Sequence, residues 1–369
     1  MTRLRILILG SAALTLLVSG SVQARQLDHQ NGRQLGEQQN QGAKPRIRVQ
    51  AGTTPINQAE ARAHVQAPEP ARDGAPADEH WRVGQGQPTY NFLFLHGLGG
   101  EPRNGLDDRI SRELGSRGIC FDVKSPWLRP VRRGLLGRME DDGLHTMTYQ
   151  LQKAGEILEN SPGPMVLVGH SFGGKLANLL AKKYPDKVAC VVGLAPAVNM
   201  LYSYYKQLTG QRGLPAKAEL LAQLDGYKGQ MEADLARAQG AHGGDARGTR
   251  RLKSELSYLA IMRDLAAQPI GETEMETGIR KPTLVLHGTE DGAVSIHYAR
   301  RFAEANPQAV RLVEIEGVDH GFAKRMGGDD FLPQIDRRAT ERATRQMVDE
   351  IVNFLGRNVR PGNAPRAGN

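Results

Sequence analysis

From about residue 89 onward, short apolar runs alternate along the chain with longer stretches of helical periodicity. Most of the apolar runs are hydrophobic on both faces, as in parallel strands that helices cover on each side. Predicted helices lie at about 104–116, 143–160, 172–183, 293–305 and 337–356. The six predicted strands are Asn91–Leu95, Gly118–Val123, Met165–Val168, Val188–Leu194, Thr283–Leu286 and Arg311–Ile315. This alternation predicts an α/β fold with a mostly parallel central sheet and helices on both faces.

The regular alternation stops after Ala195, where about 85 residues separate one predicted strand from the next. Amphipathic segments at 199–208, 215–238 and 250–266 predict helices there, and a Gly-rich break divides them from Gly240 to Gly248. A structureless loop of that length is implausible inside a compact domain. We interpret about 197–280 as a helical cap inserted into the domain. The alternative is that these helices complete the core.

The first 24 residues have the pattern of a secretory signal peptide. Arg3 and Arg5 precede an apolar run from Ile6 to Val18, and Val22-Gln23-Ala24 supplies small residues for cleavage after Ala24. The apolar run is shorter than a membrane span requires. We therefore expect a secreted or periplasmic protein with no stable membrane span after cleavage, and an uncleaved anchor is the alternative.

Two further segments lack the periodicity of packed structure. Residues 25–88 are poor in large apolar residues and rich in Gln, Arg, Ala, Gly and Pro, and the tail 359–369 is similar. Such segments bury too little surface to offset the entropy of ordering them. We predict that both are disordered and that the folded domain spans 89–358.

Composition excludes several classes of protein. The chain has 369 residues, only 5% aromatic residues and a net charge of +8, so neither a base-stacking platform nor a strongly basic surface is indicated. The densest basic run, Arg129 to Arg138, is interpreted as a solvated loop rather than a phosphate-binding patch, and no nucleic-acid partner is expected. Two cysteines exclude a disulfide-rich scaffold and a cysteine-based zinc site.

The most informative motif is G-x-S-x-G at Gly169 to Gly173, placed directly after a predicted strand and before a predicted helix. This context presents the Ser171 hydroxyl at a sharp turn above the sheet edge, where the helix N-terminus can stabilise an oxyanion. The same stretch nearly matches a phosphate-binding loop, but Leu176 stands where that loop needs a magnesium-binding hydroxyl. Ser171 is therefore the predicted nucleophile, and nucleotide binding is the weaker alternative.

A serine nucleophile needs a neutral base, and the base needs an orienting carboxylate. His320 lies in a Gly-flanked loop after the last predicted strand, and Asp291 follows the strand Thr283–Leu286. Glu290 is the nearest rival to Asp291, whereas Asp319 is adjacent to His320 and should point away. We assign structural roles to His96 and His170 and a packing role to His287.

Four motifs together resemble those of α/β-hydrolases of the esterase/lipase type. They are His96-Gly97-Leu98-Gly99-Gly100, Gly169-His170-Ser171-Phe172-Gly173-Gly174, Gly288-Thr289-Glu290-Asp291 and Gly317-Val318-Asp319-His320, and the resemblance covers about Asn91 to Leu355. It implies that the N–H groups of Leu98 and Phe172 form an oxyanion hole and that 197–280 is a cap. The chain departs from the family at the N-terminus, where the family's sheet often begins with two antiparallel strands; only about residues 80–90 precede the first predicted strand here as ordered chain, so we expect a trimmed sheet.

The hypothesis is a serine hydrolase that cleaves small-molecule or lipid-like carboxylic esters through an acyl-enzyme, with no metal or cofactor implied. An amidase, a thioesterase or an acyltransferase on the same fold is the alternative. A non-catalytic binding protein on a hydrolase scaffold is an alternative of another class. In the strand order that the resemblance implies, Cys120 and Cys190 are three inter-strand steps apart, so two buried thiols without a bridge are expected.

Overall fold

The computed structural model describes residues 79–85, 87–98, 105–126, 147–211, 213–240, 246–268, 277–325 and 334–359. The predicted signal peptide, most of the predicted disordered leader and the tail from residue 360 lie outside these residues. The basic run from Arg129 to Arg138 also lies outside them.

The described residues contain a seven-stranded sheet with the order β1-β3-β2-β4-β5-β6-β7. Its strands are β1 (Glu79–Val83), β2 (Tyr90–Leu95), β3 (Phe121–Ser125), β4 (Met165–His170), β5 (Val188–Leu194), β6 (Thr283–Gly288) and β7 (Val310–Ile315). Neighbouring strands are parallel except β1 and β3, which pair antiparallel. The six predicted strands correspond to β2–β7, and the prediction of a mostly parallel sheet is confirmed.

The edge strand β1 was missed, because it lies inside the segment 25–88 that was predicted to be disordered. Its side chains alternate, so that Trp81 and Val83 are buried while His80 is exposed. Arg82 forms an ion pair of 2.7 Å with Asp122 on the neighbouring β3. The folded domain therefore begins by Glu79 rather than at residue 89, and the sheet keeps an antiparallel first strand.

Helices lie on both sides of the sheet. Along β2, Phe92 and Phe94 belong to one apolar cluster and Leu93 and Leu95 to another, so both faces of the strand are buried. Within the described residues the helices are α1 (Leu106–Ser116), α2 (Met147–Glu159), α3 (Phe172–Lys183), α4 (Met200–Thr209), α5 (Lys217–Gly240), α6 (Ala246–Ala267), α7 (Ile296–Ala305) and α8 (Arg337–Asn358). None of them has the length and hydropathy to cross a membrane.

Three helices, α4 to α6, lie between β5 and β6, where the insertion was predicted. Their buried residues, including Leu224 and Met262, share one apolar cluster with Phe172 and Leu176 of α3. Asp264 of α6 accepts hydrogen bonds from the N–H and the hydroxyl of Thr148 at the start of α2, at 2.5 and 2.7 Å. The inserted helices therefore share an apolar cluster with the helix that follows Ser171, and α6 is hydrogen-bonded to α2.

The two cysteines are free and buried. Cys190 lies on β5 and Cys120 directly precedes β3, and the sheet order puts β2 and β4 between these strands. Burial raises the pKa of the Cys190 thiol to about 12, so that it stays protonated. The prediction of two separate, buried thiols is confirmed.

Candidate active site

A single residue, Ser171, connects the end of β4 to the start of α3. Its backbone lies at φ 53° and ψ −117°, in a region that costs a non-glycine residue about 1–3 kcal/mol. Hydrogen bonds hold it there: its N–H donates to Leu194 O at 2.9 Å, and its carbonyl accepts from Gly174 and Ala197 at 3.0 and 2.9 Å. The strained turn predicted for the nucleophile is therefore present.

The glycines around Ser171 are required by close backbone contacts. A Cβ at Gly169 would lie 2.3 Å from Gly173 O, and one at Gly173 would lie 2.0 Å from Leu95 O. Neither distance is compatible with a side chain. The loop after β2 also passes beside the turn, because a Cβ at Gly97 would lie 3.2 Å from the Ser171 Cβ.

The two residues predicted to form an oxyanion hole are Phe172, which follows Ser171, and Leu98, which lies in the loop whose Gly97 approaches Ser171. Phe172 is the first residue of α3, so its N–H is one of the groups at the helix N-terminus that have no acceptor within the helix. Leu98 directly follows Gly97 and packs, partly buried, against the apolar cluster that contains Phe172. Residues 99–104, which continue the Leu98 loop, lie outside the described part of the chain.

The predicted base and acid contact each other. Nδ1–H of His320 donates to Asp291 Oδ2 at 2.8 Å, since a carboxylate oxygen can only accept. A neutral His320 ring with its proton on Nδ1 has an unprotonated Nε2, as a general base requires. Oδ1 of Asp291 accepts from the N–H groups of Ala293 and Val294, both at 2.8 Å, so the carboxylate is fixed at both oxygens.

The loops that carry Asp291 and His320 are joined by backbone contacts. Glu290 N–H donates to Val318 O at 3.0 Å, and Gly317 N–H donates to the Thr289 hydroxyl at 2.8 Å. A Cβ at Gly288 would lie 2.3 Å from Val318 O, so the loops approach as closely as a glycine permits. Both loops follow parallel strands, β6 and β7, whose carboxyl ends meet at one sheet edge.

The two rival carboxylates have other partners. Glu290 has a side chain that is 53% exposed and pairs with Lys324 at 2.8 Å. Asp319 turns back on its own loop, accepting from the N–H groups of Gly321 and Ala323 and pairing with Arg325 at 2.5 Å. Geometry therefore favours Asp291 over both rivals as the partner of His320.

A second imidazole, that of His287, lies next to Asp291, and the sequence analysis did not predict this contact. His287 lies at the end of β6 with a fully buried side chain, and its Nε2 is 2.9 Å from Val294 O and 3.3 Å from Asp291 Oδ2. Burial alone would raise the pKa of Asp291, but hydrogen bonds from His287 and His320 outweigh it and hold that pKa well below its usual range. Asp291 is therefore a carboxylate throughout the neutral range, between two imidazoles.

Two further histidines flank the site and are held neutral. His96 Nε2 is 2.6 Å from the Ser125 hydroxyl, which itself donates to Phe94 O, so His96 is the donor in this buried pair. His170 Nε2–H donates to His320 O at 3.0 Å. Burial lowers the pKa of His96 to about 3 and that of His170 to about 4.

The buried neutral state of His96 predicts a loss of stability in mild acid. An unfolded histidine has a pKa near about 6.5, whereas the folded value is about 3, so between these values only the unfolded chain takes up the proton. The contribution of His96 to the free energy of unfolding should therefore fall by up to about 1.4 kcal/mol per pH unit as the pH drops below about 6.5, and His170 should add a similar fall down to about pH 4. Urea unfolding at pH 7, 6 and 5 measures this slope.

The matched variant for this prediction is His96→Gln, which keeps a side-chain N–H donor but cannot titrate. Its stability at pH 7 should be lower, and its loss between pH 7 and pH 5 should be smaller than that of the wild type. Equal slopes for the two proteins would contradict the assignment of a neutral, buried His96. The carboxylate of Asp291 does not interfere, because a lowered pKa costs stability only below about pH 4.

A family model described as "alpha/beta hydrolase fold" matches residues 90–323. The chain belongs to the α/β-hydrolase family. The match begins at β2 and ends three residues after His320, so it contains all five predicted site residues.

Several known proteins are similar to this chain. A pyrethroid hydrolase of Sphingobium wenxiniae is 26% identical over 219 residues, which are 54% of this chain and 76% of that enzyme. Lipase LipV of Mycobacterium tuberculosis is 34% identical over 119 residues, 32% of this chain and 37% of that protein. The solved structure of alpha/beta hydrolase domain-containing protein 10 from mouse has a TM-score of 0.47 at 17% identity, covering 79% of this chain and 99% of that chain.

Proposed function

We propose that this α/β-hydrolase is a serine hydrolase that cleaves carboxylic esters through an acyl-enzyme. The observation that carries the proposal is the partly buried Asp291–His320 pair, because the main-chain oxygen of His320 accepts a hydrogen bond from His170, the residue directly before Ser171. A base with its proton on Nδ1, an orienting carboxylate and a serine on a strained turn have the roles of a Ser-His-Asp site. The chain order of serine, acid and base is that of α/β-hydrolases.

In the proposed reaction, Ser171 Oγ attacks the acyl carbonyl while His320 Nε2 accepts its proton. The N–H groups of Leu98 and Phe172 stabilise the negative oxygen of the tetrahedral intermediate. Its collapse breaks the bond to the alcohol oxygen, which takes the proton from His320. Water, activated by the same imidazole, then releases the acid and restores Ser171. Asp291 stabilises the imidazolium that forms in each half-reaction.

Two observations support an ester with an apolar acyl or alcohol group. Leu98, beside the Ser171 turn, packs on an apolar cluster that also contains Tyr204 and Met262 of the inserted helices. The curated relatives carry the names of a pyrethroid hydrolase and a lipase. We propose a small-molecule or lipid-like ester as substrate, and export of the protein through the signal-like residues 1–24.

The test is a comparison of matched substrates. Purified protein should hydrolyse 4-nitrophenyl butyrate and should cleave the corresponding 4-nitroanilide far more slowly, because the amide is less electrophilic and its leaving group must be protonated. A fluorophosphonate probe should label the protein once per chain. Equal rates for ester and anilide would favour the amidase alternative. Absence of both hydrolysis and labelling would favour a non-catalytic binding protein.

A further inference from the structure

The residue before the nucleophile has contacts that the proposed reaction does not use. His170 ends β4, and its Nε2–H donates to the main-chain oxygen of His320 at 3.0 Å. The two imidazole rings lie against each other, with centroids 4.8 Å apart and planes tilted by 41°. The sharp turn that carries Ser171, hereafter called the elbow, is thus joined directly to the loop that carries the base.

The other nitrogen of the same ring faces the loop that carries Leu98. A Cβ at Gly97 would lie 3.3 Å from His170 Nδ1, so the ring lies close to the backbone that leads to the predicted oxyanion donor. His170 therefore lies between Gly97 on one side and His320 on the other. Because it is covalently attached to Ser171, its ring is placed next to three parts of the site at once.

The ring is suited to hold this position as a neutral donor. A main-chain carbonyl can only accept, so the proton of His170 lies on Nε2 and Nδ1 carries none. Burial, with smaller contributions from His320 and Arg109, lowers its pKa to about 4, outweighing the hydrogen bond to His320 O and the nearby Asp291, which both raise it. The hydrogen bond to His320 O therefore keeps one form at the pH values where His320 can act as a base.

The loop of His320 has a second attachment that does not involve the elbow. Arg109 of α1 donates through Nη2 to Gly321 O at 2.6 Å, and Asp319 accepts from two N–H groups of its own loop. Loss of the His170 hydrogen bond would therefore leave the loop folded. It would only allow the imidazole of His320 to shift relative to Ser171.

We propose that His170 is a positioning residue that sets the distance between Ser171, the base His320 and the oxyanion loop by bridging the elbow to both loops. This inference rests on the proposed serine hydrolase function. A positioning residue should affect the rate of the chemical step more than substrate affinity, because small displacements of reacting groups are costly: a misplacement of about 1 Å can cost about 10²-fold.

Three variants of His170 distinguish the effect of its Nε2–H donor from the effect of the packing of its ring. Gln places its amide N–H near the position of Nε2, Asn is too short to reach His320 O, and Leu fills the space without a donor. We expect His170→Leu and His170→Asn to lower kcat for 4-nitrophenyl butyrate by about tenfold or more, with little change in KM. His170→Gln should recover most of the loss. Fluorophosphonate labelling rates should follow kcat.

Thermal unfolding and titration of reactive serine give the fraction of folded enzyme for each variant. Should His170→Leu fail to fold, the comparison of Gln with Asn decides. The proposal is overturned if folded His170→Leu keeps the wild-type kcat, or if His170→Gln is as slow as His170→Asn. A failure of the proposed function looks different, because the wild-type protein itself would then neither hydrolyse the ester nor react with the probe.

Discussion

Replacement of Ser171 by Ala is expected to abolish ester hydrolysis and covalent labelling. The hydroxyl is the only group lost, and its oxygen is the atom that would form the acyl bond. Loss of a serine nucleophile in comparable sites lowers kcat by about 10⁶-fold, and the remaining rate comes from substrate binding and the oxyanion hole. Turnover of 4-nitrophenyl butyrate measures the first effect, and mass spectrometry of probe-treated protein measures the second.

The fold should tolerate this change. An alanine at this position would have the same backbone constraints as Ser171, and the bonds that hold the turn are made by the N–H and carbonyl of the residue, not by its hydroxyl. The midpoint of thermal unfolding should therefore stay near that of the wild type. Ser257→Ala on α6 is a matched control, since that hydroxyl donates only to Lys253 O of its own helix among the described residues. Full activity in Ser171→Ala would rule out the serine mechanism.

The parts of the fold that sequence predicted are those with local signals. Strands β4, β5 and β6 are nearly continuous apolar runs because helices cover both of their faces, and no distant contact is needed to recognise them. The turn at Ser171 is likewise encoded locally, by glycines at Gly169 and Gly173 between an apolar strand and a helix. Elements of this kind can be predicted from one sequence.

The parts that were missed depend on contacts between distant segments. In β1 only Trp81 and Val83 are apolar, and their burial is created by the rest of the domain, including Gly115 of α1, whose Cβ would lie 2.6 Å from Val83. His287 was assigned to packing because nothing in the sequence shows that its ring turns toward Asp291. For the acid, the sequence favoured Asp291 with Glu290 as its rival, since both follow the same strand, and only their contacts distinguish the two.

Replacement of Asp291 by Asn should be the second most damaging change, lowering kcat by as much as about 10⁴-fold. Oδ1 of the amide can still accept from the N–H groups of Ala293 and Val294, so the turn should persist. Its NH₂ group, a donor, would then face His320 in place of Oδ2, which is an acceptor. His320 would be driven to carry its proton on Nε2, which removes the base while leaving the fold intact.

The neighbouring carboxylate provides the control that makes this prediction decisive. Glu290→Gln makes the same change from carboxylate to amide at the adjacent residue. The Glu290 side chain is 53% exposed, however, and its contact is the ion pair with Lys324. Exposed ion pairs contribute about 1 kcal/mol or less, so this variant should keep nearly all activity and stability. Both variants are assayed with the same ester, with unfolding measured in parallel. If Glu290→Gln proves more damaging than Asp291→Asn, the acid is misassigned and the contact of His320 with Asp291 has no catalytic role.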